Sequence, residues 1–573
     1  MKVYLDGHNI PRRTFLKMAA GTMASSALAA CMPAAAPAEP AAEEMGDDAS
    51  SGCGGEVVVA TEWENPLFNP LCKSAGTPAR HVFEPIFNRL FEAMDWGPGP
   101  DCDGEVGLTL SLAEKVEEVE KNRVWMVDLR QDVNWHDGRP FTADDVVWTY
   151  YAMLHRDVAP TYANQFLMIK GGKQLFSEGG DSLEGVQKID QYKVRIEFDE
   201  PDPLGIVGSP VSFGRYWYVT PKHGWEGVPL EKVGTHEPMA MSPIGTGPFK
   251  MGQIVERQYA ELVANEDYFL GKPLADKYIT RFLGPEARDA ALEGGEVMQT
   301  GASSLDAWDR LGRLPHLTAY TRPTTLMFAL DVNDTRWGDM AHTLAEAIRY
   351  AIDIGTILQD TSYGTNTPSR YIFEHILGPV GEPPDGLKTY EYNTEKAREV
   401  LENAGWDFDT ELEWSYWRPP DTLDLSIQAQ LLDAGIKTKF RIIDVASWTE
   451  DIATAANYDL YFDAWMFSTD MQEMSTHIGC GWGFTSAGRN YDFYCNEELD
   501  DAWQAALAEE DPEAQIEMYR NLALILQEKW PWAPMYRRGM TTMVNNRLQG
   551  VWPHNDYQRN VRVPFERMCV TPA

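Results

Sequence analysis

Positive charge is scarce in this chain. Lysine and arginine number 49 against 87 aspartates and glutamates, a formal net charge of -38 over 573 residues. A field of that sign repels phosphate backbones and anionic lipid, which excludes nucleic acid as a partner. Histidine is sparse too, eleven in all and without a cluster, so a bare metal ion is an unattractive ligand. None of the seven cysteines forms a Cys-x-x-Cys pair, which disfavours zinc knuckles and redox motifs. Gly-x-Ser-x-Gly and His-Glu-x-x-His are both missing, and with them the local signatures of common hydrolases. An exported hydrolase is the remote alternative to a binding protein. The remaining composition, 44% hydrophobic and 24% charged, is that of a soluble chain with a real core. Its length implies two or three globular units.

The N-terminus reads as an export signal. "PRRTFLKMAAGTMASSALAAC" carries the Arg12-Arg13 pair, then a weakly apolar stretch from Met18 to Ala30. That stretch is well short of the roughly 20 residues needed to span a bilayer. The arginine pair resembles a twin-arginine signal, and Leu28-Ala29-Ala30-Cys31 resembles the lipobox of lipoproteins, whose cysteine is acylated. Residues 1–30 are therefore expected to be removed and Cys31 lipidated. Residues 31–55, rich in Ala, Pro, Glu and Gly, are expected to be a flexible tether. These features imply an extracytoplasmic protein, lipid-anchored at the cell membrane or periplasmic. Export permits disulfides, and Cys480 and Cys495, which flank a glycine-rich loop, are the expected bridge. The connectivity of the other cysteines stays open.

Strand-like and helix-like stretches alternate in an α/β pattern. "GEVVVATEW", "RVWMVDLRQDVNW" and "YKVRIEFDEP" read as strands. "TLAEAIRYAID" places Leu344, Ala347, Ile348 and Ala351 on one helical face, and "TEKAREVLENAGW" does so with Ala397, Val400 and Leu401 before Gly405. "SIQAQLLDAGIKTKFRIID" reads as helix, glycine turn and strand.

The stretch "NWHDGRPFTADD" looks chemical, because a histidine and three carboxylates lie within ten residues. Asp137-Gly138 is a turn signal, however, and Thr142-Ala143-Asp144-Asp145 has the spacing of a capping box at the start of a helix. Val146, Val147, Tyr150, Tyr151 and Leu154 then form an apolar stripe. The structural reading accounts for every polar residue.

"VNWHDGRPFTADDVVWTY" resembles the signature of family 5 extracellular solute-binding proteins, the receptors of peptide- and nickel-type ABC importers. "SPIGTGPFK", "NEDYFLGKPLADKYI", "ALEGGEVMQTG", "AEAIRYAIDIGTIL" and "YNTEKAREVLENAGW" agree with the family in order. The resemblance implies an α/β, two-lobed clam-shell of the type II periplasmic-binding-protein class, with an extra subdomain inserted in the N-terminal lobe. On it, residues 56–325 form the N-terminal lobe with the insertion at about 86–200. Residues 326–532 form the second lobe, and residues 533–573 return to the first. It implies a monomeric receptor that makes or breaks no bond, needs no cofactor, and hands its ligand to the permease of an ABC importer.

The expected ligand is a di- or oligopeptide. "DAWMFSTDMQEMSTH" resembles the segment whose aspartate pairs with a peptide α-amino group, and Asp470 takes that position. Trp63, Trp414, Trp417, Trp465 and Trp482 lie where loops leave strands and could cover side chains or stack on sugar rings. Arg418 could pair with a ligand carboxylate. The tryptophans keep a cello- or xylo-oligosaccharide open as the alternative. Replacing Cys31 with serine is expected to move the protein from the membrane fraction to the soluble fraction, read by fractionation and immunoblot.

Overall fold

The computed structural model describes residues 52–61, 68–71, 82–96, 105–158, 163–199, 218–362, 365–375, 379–416, 418–443, 451–452, 455–466, 471–480, 494–509, 511–550 and 564–572. One eleven-stranded mixed sheet runs through it. Its strands include β1 (Glu56–Thr61), β2 (Phe249–Val255), β3 (Tyr259–Ala264), β4 (Lys277–Phe282) and β5 (Gln299–Thr300). They continue with β6 (Leu317–Val332), β7 (Glu411–Tyr416), β8 (Lys437–Ile442), β9 (Leu460–Met466) and β10 (Trp532–Asn545). The order across the sheet is β8-β7-β9-β6-β10-β5-β1-β4-β3-β2, and Thr367–Pro368 pairs with β10 off this path.

The two longest strands carry the sheet from one half to the other. The first part of β6, Leu317 to Pro323, pairs with Asn545 to Gly539 of β10, beside β5. Its second part, Met327 to Val332, lies between β9 and the first part of β10. The lobe boundaries expected at 325/326 and 532/533 therefore fall inside β6 and at the start of β10.

Side-chain alternation along β6 shows why the second half is layered. Phe328, Leu330 and Val332 enter one core, while Met327 and Ala329 enter another on the opposite face. Ile357 and Leu358 of the helix Ile354–Ser362 help to close the first core, together with three further helices. They are α2 (Asp339–Ala351), α3 (Thr394–Asn403) and α4 (Thr422–Asp433), numbered after α1 (Ala143–Leu154) of the insertion. α2 buries Leu344, Ala347, Ile348 and Ala351, the four positions read from its periodicity. Gly405 follows α3 with φ 74, the left-handed conformation that glycine supplies. The second face packs against α5 (Glu497–Ala508) and α6 (Pro512–Lys529) through Trp503, Leu522 and Trp530.

The inserted subdomain has its own four-stranded antiparallel sheet. Its core includes Trp125, Trp135, Phe141, Val146 and Tyr150. The capping box at α1 is formed, with the Thr142 N–H donating to Asp145 Oδ2 at 2.9 Å. Asp145 does more than cap. It is buried, and it also accepts from Trp135 Nε1 at 3.2 Å and from the Lys222 N–H at 2.8 Å.

His136 has a larger structural part than its turn position suggests. Its Nε2–H donates to the Gly247 carbonyl at 3.0 Å, and its Nδ1 accepts from the Gly245 N–H at 3.3 Å. Its own N–H donates to the Gly245 carbonyl at 2.8 Å. These bonds fix the neutral Nε2–H tautomer. The clasped segment "GTG" runs against Pro85-Ile86, where a Cβ on residue 245 would overlap the Ile86 carbonyl oxygen. The stretch that looked chemical thus fastens the subdomain to the lobe.

Desolvation lowers the His136 pKa to about 4, despite its bond to the Gly247 carbonyl. The folded value lies below the unfolded value of about 6.5, so the unfolded chain binds the proton first and stability falls on acidification. The loss should occur between about pH 6.5 and pH 4 and amount to about 2–3 kcal/mol, discounted for the partial exposure of the ring. Thermal melts across that range should be steep for the parent protein. In His136→Gln they should be flatter, from a lower Tm at pH 7.

Candidate functional site

Strand polarity locates the site. β1 is parallel to β4 and β5, so Thr61, Phe282 and Thr300 end on the same side. β5 is antiparallel to β10, with Thr300 opposite Met543, and its carboxyl end therefore faces the middle of β10. In the other half β7 is parallel to β8 and β9. β9 is antiparallel to β6, with Met466 opposite Leu326. Tyr416, Ile442 and Met466 therefore also end toward the middle of the two crossing strands. Open α/β sheets bind ligands in the crevice outside strand carboxyl ends, and here two sets of such ends converge on one place.

The crossing is irregular at that place. Pairing shifts between Pro323 and Met327 of β6 and Gly539 and Arg537 of β10, a bulge. Gly539 has no room for a side chain, since a Cβ would overlap the Thr365 carbonyl oxygen. Its N–H donates to Asn366 Oδ1 at 3.0 Å.

In sequence, Trp63 follows the end of β1, Trp417 the end of β7 and Asp470 the end of β9. These three, with Trp482 and Cys31, lie outside the described residues. Trp465 stands in β9, in register with Met327. Trp414 corrects the expectation of a cleft tryptophan. Its side chain is fully buried, with its ring 4.7 Å from Phe440 and 5.9 Å from Phe462. The cause is alternation: Leu412, Trp414 and Tyr416 all point from β7 into the core beneath α2, α3 and α4.

Arg418 is engaged within the chain. Its Nη1 lies 2.8 Å from Asp424 Oδ2 and its Nη2 lies 2.9 Å from Asp421 Oδ2. Its guanidinium carbon sits 4.6 Å from the centre of the Tyr416 ring. Asp421 is the N-cap of α4 and Asp424 its third residue, and the two form a second capping box. Burial pushes the Asp424 carboxyl up to about 6, against the pull of its hydrogen bond from the Asp421 N–H and of Arg418. A ladder of rings links this corner to the crossing. Tyr416 lies 5.3 Å from Phe462, Phe462 lies 5.4 Å from Phe328, and Phe328 stacks on Tyr536 of β10 at 4.8 Å. Asp421, Asp424 and Tyr536 did not emerge from the sequence as site residues, although the Asp-x-x-Asp spacing of "PDTLD" carries the capping signal.

Two disulfides are present among the described residues. Cys480 pairs with Cys495, with Cα atoms 4.4 Å apart, and the Cys480 N–H donates to Asp500 Oδ2 at 2.9 Å. Cys53 pairs with Cys569 and joins the two ends of the described chain. Among the described residues no group of three or more His, Cys, Asp or Glu is placed to hold a metal ion. Among them, too, no helix is long and apolar enough to cross a membrane.

Two lobes on a shared pair of strands, with the carboxyl ends of both facing the crossing, define a ligand-binding clam-shell. The chain belongs to the bacterial extracellular solute-binding proteins, family 5, whose middle region matches residues 107–482. Family membership places the folded chain outside the cytoplasm. A Brucella ovis protein assigned as an ABC transporter peptide-binding protein is 27% identical over 439 residues, covering 73% of this chain and 77% of that one. The oligopeptide-binding protein AppA of Bacillus subtilis is 25% identical over 526 residues, 87% of this chain and 89% of its own. The solved structure of the B. subtilis AppA in complex with a nonapeptide superposes with a TM-score of 0.72 at 21% identity. That superposition covers 91% of this chain and 100% of AppA.

Removing Arg418 should expose the dependence of Asp424 on its partner. Arg418→Ala leaves a buried carboxylate uncompensated and should cost roughly 2–4 kcal/mol at pH 7.5 by urea unfolding. Part of that loss should return at pH 5, where Asp424 protonates. An equal loss at both pH values would show that packing of the arginine stem, and not its charge, is what matters.

Proposed function

We propose that this chain captures a di- or oligopeptide between its lobes and delivers it to the permease of an ABC importer, without chemical turnover. The observation that carries the reading is the convergence of strand carboxyl ends from both halves on one crossing, with Asp470 next in sequence after β9. Asp470 supplies the carboxylate for the peptide ammonium, a charge-assisted pair of the strong kind. The lobes are residues 56–325 with 533–573, and residues 326–532. They move about the irregular pairing near Pro323 and Gly539, since a few residues at element junctions absorb such rotations. Lipidation at Cys31 holds the receptor at the membrane face.

Support for peptides over sugars comes from two sides. The B. subtilis relative is an oligopeptide-binding protein. Trp414, one of the tryptophans that favoured saccharide stacking, belongs to the core. Purified protein should gain thermal stability from peptides of two to five residues and none from cello- or xylo-oligosaccharides. Stabilisation by sugars alone would overturn the reading. Asp470→Ala should weaken a stabilising peptide by about 10- to 100-fold in calorimetry, the worth of one charged hydrogen bond. An unchanged affinity would remove Asp470 from the site.

A further inference from the structure

The bulge that breaks the crossing of β6 and β10 is spanned, on the edge of β10 away from β6, by a short segment of the chain. On one side of the break, Thr367 pairs with Arg537 and Pro368 with Tyr536. The Ser369 N–H there donates to the Met535 carbonyl at 3.0 Å. On the other side lies Gly539, opposite Pro323 in the last pair before the break. Gly539 is buried, its N–H donates to Asn366 Oδ1, and the Thr365 carbonyl oxygen leaves no room for a Cβ.

This segment is rooted in the half that holds β7, β8 and β9. The Thr365 N–H and Oγ1 both donate to the Ser362 carbonyl, at 2.9 and 2.7 Å. Ser362 ends the helix whose Ile357 and Leu358 enter the core beneath α2, α3 and α4. Beyond Ser369, Tyr371, Ile372 and Phe373 enter the core on the opposite face of the sheet. Arg537 Nη1 donates to the Glu374 carbonyl at 3.2 Å, and the Glu374 carboxylate accepts from the Arg370 N–H at 2.7 Å. Both flanks are therefore fixed in buried structure, while Thr365 and Asn366 reach across the break.

Bending at the bulge displaces Gly539 relative to Tyr536 and Arg537, and the segment resists it in both senses. Motion that presses Gly539 onto Thr365 drives backbone against backbone, and packed interiors yield little. Motion away from it strips a buried N–H of its acceptor, which costs more than the net worth of a hydrogen bond made in water. We propose that Thr365–Ser369 is a brace across the hinge, and that Asn366 is the latch that fixes the resting angle between the two halves. The proposal rests on the hinge placed near Pro323 and Gly539, and it holds whatever ligand the halves enclose.

Distances between the halves test this in the full mature chain without ligand. Spin labels that need no cysteine, placed at the exposed Glu286 and Glu402, leave the disulfides intact and report one distance distribution by double electron–electron resonance. Asn366→Ala should broaden that distribution and raise the share of its minor distances by about 2- to 10-fold, the worth of one hydrogen bond. Asn366→Asp keeps an acceptor for the Gly539 N–H and should restore the parent distribution. Melting temperatures close to the parent's would verify both folds. Hydrogen exchange of peptides spanning Arg538–Thr541 gives a reading that needs no variant, since the Gly539 amide should be protected in the parent. Rapid exchange there, or a distribution unmoved by Asn366→Ala, overturns the latch while leaving the receptor reading intact. Broadening by Asn366→Asp as large as that by Asn366→Ala overturns the hydrogen bond as its cause. Failure of every peptide to bind removes the peptide reading and leaves the brace standing.

Discussion

The pairing of β6 with β10 is the constraint on which the rest of the molecule depends. These two strands are the only members of the large sheet, among the described residues, that pair in both of its halves. Their hydrogen bonds hold the halves in one sheet, yet the register breaks between Pro323 and Met327. Sheet pairing resists shear along its length, but a bulge allows the ribbon to bend and twist locally. The molecule therefore has two halves, each packed on its own cores, and a narrow compliant ribbon between them. Because every parallel strand set ends toward that ribbon, bending it changes the distance between the segments that follow those ends.

The corner at α4 shows two anion-attracting features neutralised within the chain. A helix N-terminus and an arginine beside a strand end would attract anions by default. Here Asp421 and Asp424 fill both, and the ring ladder from Tyr416 to Tyr536 ties the filled corner to the crossing ribbon. The buried Asp424 is tolerated because Arg418 and the Asp421 N–H face one of its oxygens.

Periodicity made much of this legible from sequence. The buried faces of α2 and α3, the capping box at Thr142 and the strands around Val57, Val127 and Val194 all follow from spacing that tertiary contacts did not override. What spacing could not supply was the direction of a single side chain on a strand. Trp414 was placed in the cleft because it lies near the end of β7, but one residue of parity decides between core and crevice. The Cys480–Cys495 pair was legible because a short loop brings its ends together. The Cys53–Cys569 pair, 516 residues apart, was not. The clasp of His136 on Gly245 and Gly247 was hidden for the same reason, since its partners lie more than a hundred residues away.

The Cys53–Cys569 bond has a mechanical consequence. It turns the chain into a covalent ring closed where the expected tether enters, beside the Gly54–Val570 bridge and just before β1. A pull on the chain before Cys53 therefore reaches the globule through two branches at once, one into β1 and one into the short strand Cys569–Val570. Neither can be peeled off alone, and strain applied to the chain before Cys53 enters the half of the sheet that holds β1. The half that holds β7, β8 and β9, joined through the crossing ribbon, lies outside that load path.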